Sequence, residues 1–417
     1  MSQQTERGRV LIEQRRFLDA EKILRESLGV DPNDPEAHYL LSVSLANQKR
    51  HKEALLALDA ALALEPESSH YHAYRACIFI DLDRPKDAEA AAREAVRLDP
   101  DSGFAHRSLA AVLLSRKNWK EAEASALKAL ELDPDDSAAA NVLAHVLRLQ
   151  NRLGESSAQT DFMLSENPED PDTRVSAGWV ALQRGEHRAA EEHFLEALRL
   201  DASHEFAKEG LKEAFRARSP LYRSYLSYCF ALQRFTADKQ WLFFIGLIVG
   251  VKFLRTVLPP PAAIGVIALY LLFVLWVHVA RPVGNFGLLL DRFARHSLDR
   301  REKLEAILSG CAVMLGLLLG IAGFAVQQFS LVALSLGLIG AAFPFAHAFT
   351  NGSLPGSILF AAAGCFVLAT GVWVGLVEAG LMPDRPEIAS AAAISMLTVV
   401  AVTWLSNVTF LRRPYRG

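Results

Sequence analysis

The apolar positions of this chain change their rule near residue 241. Before that point small and hydrophobic residues recur at helical spacing inside a longer period. Six segments close alike, GVDPND at Asp34, ALEPES at Ser68, RLDPDS at Ser102, ELDPDD at Asp136, SENPED at Asp170 and RLDASH at His204, always 34 residues apart. From Trp241 onward six apolar stretches follow, at about 241–258, 261–280, 306–326, 331–350, 356–377 and 390–410. A run of roughly 18 or more such residues is long enough to cross about 30 Å of hydrocarbon as a helix. The pattern predicts helices in both parts and strands in neither.

Within the period, the eighth position of each unit is small: Gly8, Ser42, Ala76, Ala110, Ala144 and Gly178. The twentieth is Ala20, Ala54, Ala88, Ala122, Ser156 and Ala190, and the twenty-seventh is Ser27, Ala61, Ala95, Ala129, Met163 and Ala197. Small side chains let helix axes approach, and larger neighbours such as Leu11, Leu45, Phe79, Leu113 and Leu147 fill the space between them. Proline at the thirty-second position (Pro32, Pro66, Pro100, Pro134 and Pro168, then Ala202) stops the second helix, because it has no amide donor and clashes with the preceding turn. In period and in these positions the stretch from residue 1 to about 204 resembles the tetratricopeptide repeat.

The resemblance implies an all-α fold: a right-handed α-solenoid of six helix-turn-helix repeats, with residues 205–217 as a capping helix and 1–217 as one domain. It also implies an inner, concave face lined by the first helix of each repeat. The residues at the matching positions are Tyr39, Val43, Asn47, His70, Cys77, Asp81, Phe104, Arg107, Asn141, His145, Arg148, Trp179 and Gln183. A surface of apolar patches and separated polar groups suits an extended peptide or a partner helix. Two departures stand out. Ser156, Thr160 and Met163 in the fifth repeat predict looser packing of its second helix. Gln4 and Arg7 in the first repeat suit a terminal unit that faces water. His38, His72 and His106 share the fourth position of successive repeats, but repeats stacked about 10 Å apart cannot bring three ligands within about 2.1 Å of one ion. They are expected to pack between helices instead.

Charge divides the chain at the same place. From Trp241 onward twelve Lys and Arg stand against seven Asp and Glu, while residues 1–240 hold the other 32 bases and 40 acids; the first part is net −8 and the second net +5. Mean hydropathy is +0.16 and 51% of residues are hydrophobic, so a single soluble domain is not expected. The four cysteines, Cys77, Cys229, Cys311 and Cys365, form no CxxC pair and imply neither disulfide framework nor zinc cluster. The opening MSQQTERGRV has no apolar core of a secretory signal, which places the repeats in the cytosol.

Loop charge then orients the apolar part. Bases cluster before the first stretch, over 281–305 (Arg292, Arg295, Arg300, Arg301 and Lys303 among them) and in the tail 411–417, whereas the connection after the fifth stretch is net acidic. This places both termini in the cytoplasm of a bacterial inner-membrane protein and requires an even number of spans. Residues 218–240 read as an amphipathic juxtamembrane linker. Residues 241–280, with Lys252 and Arg255 near the Leu258-Pro259-Pro260-Pro261 corner, read as two spans or as a re-entrant hairpin. Phe286, Leu289, Leu290, Phe293 and Leu304 among the arginines of 281–305 predict a basic amphipathic helix lying on anionic headgroups. Residues 306–410 read as four transmembrane helices.

Candidate chemistry is sparse. His278, Gln327, Gln328, His347 and Glu378 are polar residues at or near membrane depth, all but His347 close to the predicted span ends, and His347 and Glu378 are the intramembrane candidates. The pairs Gly246/Gly250, Gly316/Gly320 and Gly371/Gly375 permit close helix approach within the bundle. No HExxH, GxSxG or GxxxxGK[ST] occurs, so no catalytic residue, metal or cofactor is expected. An acidic repeat domain disfavours nucleic acid. The expected function is that of a membrane-anchored scaffold that binds a protein partner in its groove, the alternative being a transporter or channel subunit that the repeats regulate or assemble.

Overall fold

The computed structural model describes residues 2–234, 257–292, 294–383 and 386–405, with a few isolated positions between 246 and 254. Among these, all regular structure is helical. The chain divides into two compact units. The first is Met1–Arg184 with Glu192–His204 and Gln233–Thr236; the second is Gly185–Glu191, Glu205–Leu232 and Ala237–Gly417.

The first unit is a run of helical hairpins: α1 (Gln3–Glu13) with α2 (Phe17–Val30), α3 (Pro35–Asn47) with α4 (His51–Leu64), α5 (Ser69–Asp81) with α6 (Pro85–Leu98), α7 (Gly103–Ser115) with α8 (Trp119–Leu132), and α9 (Ser137–Leu149) with α10 (Leu153–Glu166). They are followed by α11 (Pro171–Gln183) and α12 (His187–Leu200). The acidic or hydroxyl residue that closes each repeat caps the next one. The side chains of Asp34, Ser68, Ser102, Asp136 and Asp170 accept from the backbone N–H three residues on, at 3.0–3.4 Å. Where an Asp or Asn precedes the proline it folds the turn, as where Asp31 Oδ1 accepts from Asn33 N and Asp99 Oδ1 from Asp101 N, both at 3.1 Å; at Pro66 the preceding residue is Glu65.

The eighth position is the crossing point of each hairpin. A methyl group on Gly8 would lie 2.6 Å from Leu24, and one on Gly178 would lie 2.7 Å from Phe194. Where the eighth residue is alanine, its partner in the second helix is smaller, as with Ala76 and Ala92 or Ala110 and Ala126, all fully buried. In the fifth repeat Ser156, Thr160 and Met163 are buried and Ser156 Oγ donates to Ala144 O at 2.7 Å, yet α10 packs on α9 less extensively than α6 does on α5 or α8 on α7. The three fourth-position histidines share one kind of hydrogen bond. Each half-buried ring bonds a proline carbonyl of the preceding turn, His38 to Pro32, His72 to Pro66 and His106 to Pro100, at 2.9–3.0 Å. Arg174 donates to Pro168 O from the same register.

The second unit contains α13 (Glu205–Arg216), α14 (Pro220–Gln233), α15 (Pro260–Leu290), α16 (Arg300–Val326), α17 (Phe329–Thr350), α18 (Leu354–Glu378) and α19 (Pro386–Leu405). Among the described residues three helices are long and apolar enough, by length and composition, to cross a membrane: Arg300–Val326, Phe329–Phe349 and Leu354–Glu378. The apolar run Ser390–Val399 in α19 is shorter. Most of the stretch 241–258, the end of 390–410 and the tail 411–417 lie outside the described residues.

Two expectations are corrected here. The helix expected to cap the repeats, α13, belongs to the second unit, where Lys212 and Arg216 bond to Glu302 and Asn285. The helix expected over 281–305 is three pieces: the last turns of α15, which runs through Pro282 without a break, a 3-10 turn at Ala294–His296, and the first turn of α16. Its apolar residues do not form one face. Leu288, Ala294 and Leu298 are buried in a cluster with Phe215 and Leu289, Leu290 is 75% exposed, and Phe293 lies outside the described residues.

In α16–α18 glycines again mark the crossings. A methyl group on Gly337 would lie 2.6 Å from Gly371 Cα, so α17 and α18 touch backbone to backbone, and one on Gly316 would lie 2.7 Å from Ile339. Gly337→Val is expected to cost about 3 kcal/mol or more of stability in detergent, because backbone cannot yield as side chains do. Gly265→Ala, with no neighbour within 4 Å among the described residues, is expected to leave the melting temperature unchanged or raise it slightly, since alanine is the better helix former. Equal melting temperatures for both variants would contradict this packing.

The turns inside the hairpins follow their own 34-residue rule. Arg15, Lys49, Asp83, Lys117, Asn151 and Gly185 all have φ between +56° and +85°. Only the last is a glycine, the residue best suited to that conformation. Lys49→Gly is expected to raise stability by roughly 0.5–1 kcal/mol and Gly185→Ala to lower it by about 1 kcal/mol, read by denaturant unfolding.

Candidate partner-binding groove

The thirteen residues singled out along the repeats lie on α3, α5, α7, α9 and α11, the first helices, which pack on one another in succession. Caps and turns fix the register of each helix, so equivalent positions fall side by side. In the second to fourth repeats this builds a shelf of rings. The Tyr39 ring lies 4.9 Å from His70 and 5.4 Å from Tyr74, and His70 lies 4.7 Å from Phe104. The Arg107 guanidinium covers Phe104 at 4.8 Å and is held by Asp136 at 2.6 Å. Val43 and Cys77 are half-buried beside it, with Cys77 Sγ 3.8 Å from Ser108 Oγ, while Asn47 and Asp81 are exposed at the helix ends. Asn47 Nδ2 donates to Val43 O, and Asp81 stands 3.4 Å from His51 Nδ1.

A second group spans the fifth and sixth repeats. Arg148, only 7% exposed, donates to Gln183 Oε1 at 3.0 Å and lies 6.0 Å over the Trp179 ring, which itself packs edge-on against Phe194. Gln183 returns a bond to Arg148 O, and Asn141 links to Thr173 and Ser176. His145 is exposed one turn before Arg148. Sequence reasoning missed Tyr74, which falls one residue outside the matching positions yet closes the ring shelf.

The surface carries neutral donors rather than reactive groups. Burial, and then Glu36, push the Tyr39 hydroxyl up to about 12, and burial likewise raises Tyr74 and the Cys77 thiol. These groups stay protonated near neutral pH, and a buried thiol is a poor nucleophile. Burial, and then Arg107, lower His70. Among the described residues no group of three His, Cys, Asp or Glu is placed to hold a metal ion.

His347 is in the last turns of α17, its ring 4.8 Å from Phe343 and 5.8 Å from Phe360, and Glu378 is exposed at the end of α18. The deeply buried polar residues are others. Arg216 is fully buried, donating to Glu213 at 2.6 Å and to Asn285 at 2.7 Å, and Asn285 donates in turn to Glu305 at 3.0 Å. Tyr222 reaches the same Glu213 at 2.8 Å. This chain ties α13, α15 and α16 together, and its only trace in the sequence is an Asn and a Glu beside apolar runs.

Residues 5–69 and 75–137 match the family description of the tetratricopeptide repeat, and the first part of the chain is built of such repeats. No curated protein matches the chain. Similar solved structures include the APC/C hetero-tetramer Cut9-Hcn1 (17% identity over 51% of this chain, TM-score 0.45), of which the match spans 42%. Others are PilF of Pseudomonas aeruginosa (19%, covering 49% of this chain and 94% of that one, TM-score 0.39) and a TPR protein of Thermus thermophilus (24%, covering 43% and 97%, TM-score 0.41).

The His145 imidazole carries a pH prediction. The protein packed around it, and then the Arg148 guanidinium, lower it below the ordinary 6.5. The folded chain resists a proton that the unfolded chain accepts, so stability is unaffected above about pH 6.5 and declines as pH falls below it. His145→Asn is expected to lose less stability than the natural chain between pH 7 and pH 5 in denaturant titrations. Identical losses would contradict the placement of His145.

Proposed function

We propose that this protein is a non-enzymatic, membrane-anchored scaffold. Its repeats capture an extended peptide or a partner helix along the surface of the first helices, and its apolar helices hold the captured partner at the inner membrane of a bacterium. The tetratricopeptide fold itself implies protein–protein interaction. What carries the finer reading is the shelf of Tyr39, Tyr74, His70, Phe104 and Arg107, which joins three successive repeats in one aromatic surface. Rings of this kind bury large area at small entropic cost, and Arg and Tyr are enriched where binding energy concentrates.

The mechanism is concentration: tethering the groove to a bilayer raises the effective concentration of its partner there without further chemistry. In this reading both termini face the cytoplasm and the chain crosses the membrane an even number of times, with 241–280 as a pair of spans or a hairpin. A transporter or channel subunit, the competing class, draws on His347 and Glu378. The first is packed among phenylalanines and the second is exposed at a helix end, so neither supports it.

Affinity capture from native membranes, with the full chain as bait, tests the reading. The double variant Tyr39→Ala/Phe104→Ala is expected to lower recovery of a discrete set of proteins about tenfold or more, as the loss of two central contacts should. Recovery of the same proteins by both baits would overturn the groove as the binding surface.

A further inference from the structure

At one end of α16–α18 the acids are bonded within the protein while four arginines stand exposed. Between residues 291 and 305 every acid is engaged within the protein. Asp291 pairs with Arg218 at 2.8 Å, Glu302 with Lys212 at 2.8 Å, Glu305 is buried against Asn285, and Asp299 caps α16 through a capping box. Four of the bases of the same stretch, Arg292, Arg295, Arg300 and Arg301, are exposed, and Lys303 is half-buried. The turn that displays them is ordered. Ala294 and Leu298 are buried beneath it, Asp291 Oδ1 accepts from Ala294 N at 3.0 Å, and Arg301 donates to Asn351 O at 3.3 Å, which ties it to the junction of α17 and α18.

Two further features need an explanation. Arg300 and Arg301 open α16, at the positive end of its dipole, where cations are disfavoured, so helix stability does not account for them. Immediately beyond them Leu304, Ile307 and Leu308 are 43–48% exposed, so the cationic ring borders directly on an apolar surface. At the opposite end, among the described residues, Glu378 and Glu387 are exposed and acidic.

We propose that this end of the bundle is a binding surface for anionic phospholipids, whose headgroup phosphates meet Arg292, Arg295 and Arg300 while their acyl chains lie along Leu304, Ile307 and Leu308. Exposed arginines beside an exposed apolar belt suit that partner better than a soluble anion, which meets the arginines alone. The proposal rests on the reading that α16–α18 cross the bilayer.

The test uses the full chain, natural and Arg292→Gln/Arg295→Gln/Arg300→Gln, in vesicles of phosphatidylcholine with about a third phosphatidylglycerol. Lipids retained through detergent extraction are counted by native mass spectrometry, and membrane insertion is checked by resistance to alkaline carbonate. The natural chain is expected to retain phosphatidylglycerol roughly fivefold above its bulk share, and the triple variant to retain it at the bulk share while staying inserted. Bulk-share lipid on an inserted natural chain, or enrichment that survives in the triple variant, overturns the proposal and leaves the membrane reading standing. Release of the natural chain by carbonate overturns the membrane reading itself.

Discussion

Helices pack closely only where one of them gives up its side chain, and both units are built around that constraint. In the repeats Gly8 receives Leu24 and Gly178 receives Phe194, while alanine meets alanine in the middle units. In the apolar helices Gly337 and Gly371 leave the two backbones in contact. The driving force differs. In water the crossings bury apolar area, about 25 cal/mol per Å². In lipid no such gain exists, and close packing itself must hold the helices. One residue-level device thus serves two solvents.

The repeat fold was legible because its signals are local and recur. The 34-residue interval, the small eighth position and the Asp-Pro turn each name a backbone event that the structure contains: a crossing, a helix stop and the cap of the next helix. The left-handed turn at Arg15, Lys49 and Lys117 was not legible, because those residue types do not advertise positive φ. Nor was the bond from His38, His72 and His106 to the proline carbonyls, since a half-buried histidine fits packing and hydrogen bonding alike.

The groove residues were legible as positions and not as contacts. The period puts Tyr39, His70 and Phe104 on first helices, but only the stacking of one repeat on the next brings their rings together and adds Tyr74. In the second unit helix length was legible from composition, whereas the fate of each charge was not. Asp291, Glu302 and Glu305 read in sequence as surface charges like the arginines beside them, and only long-range partners on α13, the loop after α13 and α15 engage the acids within the protein. The buried Arg216, far from any apolar run, shows how a residue that reads as surface can become a fully buried charge.

The central claim is that the first-helix surface of the repeats is where a partner is held. Site-specific photo-crosslinking in cells tests it most directly, with benzoylphenylalanine placed at Val43 or Cys77 on first helices and, for comparison, at Glu26 or Leu127 on second helices. The account predicts discrete crosslinked species in the membrane fraction from Val43 and Cys77, and none from Glu26 or Leu127. Equal crosslinking from both sets, or species from the second helices alone, would contradict it.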